Sequence, residues 1–150
     1  MQIQLRYFHK ICIGILVLAG NSVLRASEAD LPKGLWEEIR ANYQDIKPDQ
    51  VDVISLADLN GDGKSDAIMQ IAGGYAGSCG FTAGIFKKVP AGYKLVSDIA
   101  CVSKIAVDKK STNGWVDLLA SSREGYFRLS FNGRAYPDSP MAGKREKRTP

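Results

Sequence analysis

The chain has 150 residues, with 20 Lys and Arg against 16 Asp and Glu, and a single His. That length accommodates one ordinary domain rather than two. A hydrophobic share of 45% with 24% charged residues excludes a disordered or fibrous chain.

The N-terminus reads as a targeting segment. Met1 to Lys10 carries Arg6 and Lys10 and no acid, and Ile11 to Gly20 (ICIGILVLAG) is an apolar run. The run is far shorter than the about 20 residues that span a bilayer. A basic start, a short apolar stretch and a small residue at Ala26 describe a secretory signal peptide over residues 1–26. Cys12 lies inside the apolar run, which disfavours a lipoprotein signal. The alternative is a buried N-terminal helix or an uncleaved anchor. The expectation is an exported chain, periplasmic or secreted, with no stable membrane insertion once the leader is gone.

Cleavage changes the chemistry that remains. Arg6, Lys10 and Arg25 leave, so the formal net charge of +4 falls by three. Lys144, Arg145, Lys147 and Arg148 then cluster at the C-terminus. The broad basic footprint of a nucleic-acid binder is missing, so no nucleic-acid partner is expected. His9 leaves as well, which excludes Ser-His-Asp and Cys-His catalysis and histidine-ligated zinc. Cys79 and Cys101 remain in an oxidising compartment. The economical reading is one Cys79–Cys101 disulfide. It would close a loop of about 22 residues, worth roughly 3 kcal/mol. The alternative is two buried free thiols.

The mature chain opens with a helix. Asp30 can cap it, Pro32 suits its first turn, and Leu31, Leu35, Trp36, Ile39 and Tyr43 recur at helical spacing. The helix is expected over residues 31–43, with Glu37, Glu38 and Arg40 on the outer face. After Pro48 the period shortens to that of strands. Residues 51–56, 67–72, 81–89, 93–99, 102–107, 115–120 and 126–131 read as strands. Pro90-Ala91-Gly92, Asn113-Gly114 and Asn132-Gly133 read as turns. The expected fold is α+β: one N-terminal helix packed on a mainly antiparallel sheet, a meander of about seven strands. The domain runs over residues 27–142, and residues 143–150 form a basic flexible tail.

The chemistry concentrates in Asp58-Leu59-Asn60-Gly61-Asp62-Gly63-Lys64-Ser65-Asp66. Oxygen side chains recur at alternate positions, and Gly63 sits where a calcium loop turns sharply. Calcium takes six to eight hard oxygen ligands at about 2.3–2.6 Å. Asp58, Asn60 and Asp62 would ligate through side chains, Lys64 through its carbonyl, and Asp66 directly or through water. Met69 stands where an EF-hand has its bidentate Glu, and the flanks are strands rather than helices. The segment instead resembles the D-x-[DN]-x-D-G-x-x-D loop of FG-GAP and VCBS repeat proteins. That resemblance implies calcium binding between strands, and it covers only residues 57–72. A single copy does not imply a propeller. More widely, Asp58 to Gly63, Gly73 to Gly80, Asn113 to Leu118 and Phe131 to Pro137 resemble a set of small secreted bacterial proteins, largely uncharacterised.

Gly73-Gly74-Tyr75-Ala76-Gly77-Ser78-Cys79-Gly80 lacks the Lys-Ser/Thr ending of a phosphate loop. It reads as a loop pinned by Cys79, with Tyr75 as the natural anchor for a partner, because Tyr is enriched at binding hot spots. Asp98, Asp108, Asp117 and Glu124 read as scattered surface charge, so no catalytic residue is assigned. The expected function is a non-enzymatic calcium-binding protein of the periplasm that binds another protein. An inhibitor or immunity protein against a secreted peptidoglycan hydrolase fits that description. The alternative is a calcium-stabilised adhesion or envelope module.

Overall fold

The computed structural model describes residues 31–72 and 77–147. The segment read as a signal peptide, Asp30, Tyr75 and Arg148 lie outside the described residues. No helix among the described residues is long and apolar enough to cross a membrane.

The fold is mainly β, and this corrects the α+β expectation. Eight strands form two four-stranded antiparallel sheets, with one short helix, α1 (Leu35–Asn42). The first sheet has β1 (Val51–Ala57), β2 (Asp66–Ile71), β3 (Phe81–Val89) and β4 (Gly92–Val102) in chain order. The second has β5 (Lys104–Thr112), β6 (Trp115–Ser122), β7 (Gly125–Leu129) and β8 (Lys144–Glu146), also in chain order. The expected single meander is therefore two, because β5 pairs with β6 and not with β4. Only Ser103 separates β4 from β5. Just before it, β4 carries an extra residue between Ile99 and Val102, and Cys101 takes φ 60°.

Burial explains the split. A single wide sheet would leave one face of every strand in water. Here the sheets stack, so Ile68, Ile85 and Ile99 of the first meet Leu118, Phe127 and Leu129 of the second. The other face of the first sheet, with Ala67, Met69 and Phe86, is covered by Leu35, Trp36 and Ile39 of α1. Covered on both sides, β2 is nearly continuous in buried residues, as a two-sided strand should be.

The helix starts later than expected. Gly34 takes φ 83°, and the Leu35 amide donates to the Pro32 carbonyl at 3.0 Å, so the turn around Pro32 precedes α1. A Cβ on Gly34 would lie 2.8 Å from the Gly92 Cα, because this turn packs directly on the β3–β4 turn. Glu38, expected on the solvent face, reaches β4 and accepts from the Leu95 amide at 2.9 Å. Tyr43 donates its hydroxyl to Asp98 of β4.

The C-terminal segment read as a flexible tail contains β8. Its residues are all charged, so no apolar alternation marks it. It is held by pairing with β7, by Arg128 Nε donating to Glu146 at 2.7 Å, and by Arg145 lying over the Phe127 ring. Leu118 is fully buried between the sheets. Leu118→Ala should cost about 2–5 kcal/mol of stability, read as a lowered urea midpoint with little change in slope.

Candidate functional site

The loop between β1 and β2 carries the residues expected to hold calcium, and its ends are anchored from below. Leu59 is 1% exposed and points into the core between the sheets. Its carbonyl accepts from the Val116 amide at 2.8 Å, which ties the loop to the start of β6. Asp66, at the other end, is fully buried. One of its carboxylate oxygens accepts from the Leu59 amide at 3.0 Å and the other from the Lys88 amide at 2.8 Å. Burial raises the Asp66 carboxyl above the usual range, against the lowering effect of those two amides.

The exposed part of the loop winds around Asp58. Its Oδ1 accepts from the amides of Asn60, Gly61 and Asp62 at 3.2, 2.7 and 3.2 Å, and its Oδ2 from Gly63 at 2.8 Å. The Asn60 side chain accepts from the Asp62 amide at 3.0 Å, and Asp62 accepts from the Lys64 amide at 2.9 Å. Gly61 and Gly63 take φ 74° and 78°, which lets successive amides turn inward. Asp58, Asn60 and Asp62 thus share one turn, with Lys64 at its end. Asp66 faces the opposite way, into the protein. Lys87 of β3 approaches the turn, with its Nζ 4.0 Å from Asp62.

Bare carboxylate repulsion would disfavour a loop without a cation. The structure supplies a counterweight: backbone amides, that of Gly63 foremost, hold the Asp58 carboxyl below its usual range. Among the described residues, no group of three or more His, Cys, Asp or Glu side chains is arranged to hold a metal ion. The donor set remains one of hard oxygens, suited to calcium and not to a soft metal.

Cys79 and Cys101 form a disulfide. It joins the 3-10 turn Gly77–Cys79 to the end of β4. Gly80 beside it takes φ 146°, and a Cβ there would lie 2.4 Å from the Val102 carbonyl oxygen. The Ser78 carbonyl accepts from the Arg123 guanidinium at 2.6 Å.

One cluster escaped the sequence reading. Asp108 and Asp117, taken as scattered surface charge, converge with Glu146 on Arg128. Arg128 pairs with Asp108, lies 3.7 Å from Asp117 and bonds Glu146 at 2.7 Å. Asp117 is only 3% exposed, and one of its oxygens is buried without a hydrogen-bond partner. The registers explain the gathering. Leu119 pairs with Arg128, which makes Asp117 its diagonal neighbour, and the β5 irregularity between Val107 and Ser111 brings Asp108 alongside. The available signal was the period-two spacing of Asp117, Leu119 and Ser121, which names a face but not its cross-strand partner.

A separate cleft of about 580 Å³ lies between the start of α1 and the β3–β4 turn, lined by Lys33, Glu37, Glu38, Lys88 and Tyr93 among others. Its charges are mixed in sign, Glu38 is engaged by Leu95, and Lys88 lies over the Tyr93 ring at 4.3 Å. Comparison of the chain with family models, curated proteins and solved structures finds no match.

Two predictions follow from this geometry. Because its carboxyl is held low, Asp58 stabilises the fold above its unfolded value, and this contribution fades as pH falls through the folded value. Asp58→Asn should therefore melt below the parent at neutral pH, with the gap closing in acid. Asp66 runs in the opposite sense, since its value is raised, and cannot mimic that profile. Arg128→Met leaves buried carboxylate oxygens without a donor. It should cost about 1–3 kcal/mol, read by thermal unfolding at neutral pH.

Proposed function

We propose that this is an exported, non-enzymatic binding protein whose 58–66 loop takes up calcium and whose target is another protein of the cell envelope. An inhibitor or immunity role against a secreted peptidoglycan hydrolase is the specific form of that reading. The observation that carries it is the gathering of Asp58 and Asn60 oxygens within 3.2 Å of the single Asp62 amide nitrogen. Asp62 follows in the same turn. Three oxygen-bearing side chains are thus held together on a short segment whose ends are fixed in the core.

Asp58, Asn60, Asp62 and the Lys64 carbonyl would hold the ion, with Asp66 supporting the loop from beneath or through water. A bound calcium would supply the positive charge that the loop amides now supply, and would stiffen the turn. The chain's own part is to keep that turn in place: Leu59 fills the core and Asp66 fastens both flanks. We read the ion's role as structural, since the loop joins two neighbouring strands.

Calcium added to chelator-treated protein should release or absorb heat in a calorimeter and raise the melting temperature. Asp58→Ala combined with Asp62→Ala should abolish both responses. No heat and no shift in the parent protein would refute the calcium reading. For the partner, capture from periplasmic extract should return one hydrolase at equal stoichiometry. Retention of glycan instead would favour an envelope module, and turnover of peptidoglycan by the protein alone would overturn both.

A further inference from the structure

Two four-stranded sheets present four outer edges, and three of them are guarded among the described residues. The edge of β4 is covered by the following segment: Ala100 donates to the Asp138 carbonyl at 2.8 Å, and the Tyr136 amide donates to Ser97 at 2.8 Å. The edge of β5 carries Lys104, Asp108, Lys109 and Lys110 and is broken by an irregularity. The edge of β8 is three charged residues. Charge, brevity, bulges and coverage are the usual protections against edge-to-edge pairing. The edge of β1 also carries a bulge, but little else guards it among the described residues. It is seven residues long, its one charge is Asp52, and Val53 and Leu56 are 36% and 47% exposed.

We propose that β1 is a seam along which two copies of this chain pair, antiparallel and about a twofold axis. The argument for a second copy, rather than any extended segment, is the bulge. Val53 opposes Met69 and Ser55 opposes Ile68, so Ile54 is an extra residue in β1. Val53 and Leu56 share the helix-side face with their β2 partners Met69 and Ala67. Ile54 and Ser55, between them, turn together toward the other face, where Ile54 and Ile68 pack. A regular strand laid along β1 loses its facing at that point. A second copy running the other way brings the same extra residue to the same place.

With the axis between Ile54 and Ser55, Val53 of each copy stands opposite Leu56 of the other. The four exposed apolar side chains then form one cluster across the seam. Asp52 stands opposite Ala57 of the other copy, and the two Asp52 residues lie at opposite ends. No like charges meet within the paired strands, which would otherwise oppose pairing. The two first sheets join into one eight-stranded sheet. This inference does not depend on calcium or on a protein target.

Sedimentation of the purified protein from micromolar to millimolar concentration, with calcium and with chelator, tests it. The expected result is a monomer–dimer equilibrium in both. Leu56→Lys, at an exposed position, should keep the parental unfolding transition while weakening the dimer about tenfold or more. Cysteine substitutions test the register. Val53→Cys mixed with Leu56→Cys should cross-link under mild oxidation, and Val53→Cys alone should not. A monomer at every concentration, whether β1 takes another protein's strand or none, overturns the proposal. So does a dimer indifferent to Leu56→Lys, or one in which Val53→Cys links only to itself.

Discussion

The Asp66 carboxylate connects three parts of this molecule that are distant in sequence. It opens β2, accepts from Leu59 at the start of the β1–β2 loop, and accepts from Lys88 near the end of β3. A buried carboxylate is costly unless it is hydrogen-bonded, and here both oxygens are used. Leu59 can then fill the core between the sheets, and its carbonyl accepts from Val116 of the second sheet. The loop therefore clasps the two sheets together. Its exposed tip is positioned by what lies beneath it, and this lets a short polar turn keep a defined shape.

The same logic of burial separates what the sequence discloses from what it conceals. Strands were legible because composition and turn signals are local: β3 begins at Phe81 and ends at Val89, as the sequence indicates. Their partition into two sheets was not, because it depends on what β5 pairs with. Nothing in Lys104–Thr112 states that its partner is β6 alone. The apolar run of β2 was the available clue, since both of its faces are covered. Read together with the more alternating burial of β7, it implies a first sheet sandwiched between helix and second sheet. β8 lacked even alternation, and it exists because Arg128 and Phe127 hold it.

For the candidate site, the residue types and spacing of Asp58, Asn60 and Asp62 were fully visible, and the structure keeps them in one turn. Two things were not visible. Asp66 belongs to the foundation of the loop rather than to its open side. Asp58 already accepts from four backbone amides, which favour its charged form. Spacing alone cannot separate a ligand from a buttress, because both are oxygen side chains at alternate positions. The distinction comes from the backbone, where positive φ at Gly61 and Gly63 turns the amides inward. An ion entering this turn would share the Asp58 and Asp62 oxygens with the loop's own amides.

The Arg128 cluster and the β1 edge show two treatments of the problem that open sheets pose. On the second sheet, exposed strands are laced with charge, and Arg128 gathers acids from β5, β6 and β8 across its face. An arrangement of that kind repels apolar partners and tolerates few substitutes, because removing the cation strands buried carboxylates. On the first sheet the edge strand β1 carries one charge, Asp52. Its edge keeps Val53 and Leu56 in solvent with a bulge between them. A bulge usually discourages indiscriminate pairing. It also defines which strand can still fit, namely one that carries the same irregularity in the opposite direction. Protection against strangers and complementarity to self arise from the same extra residue.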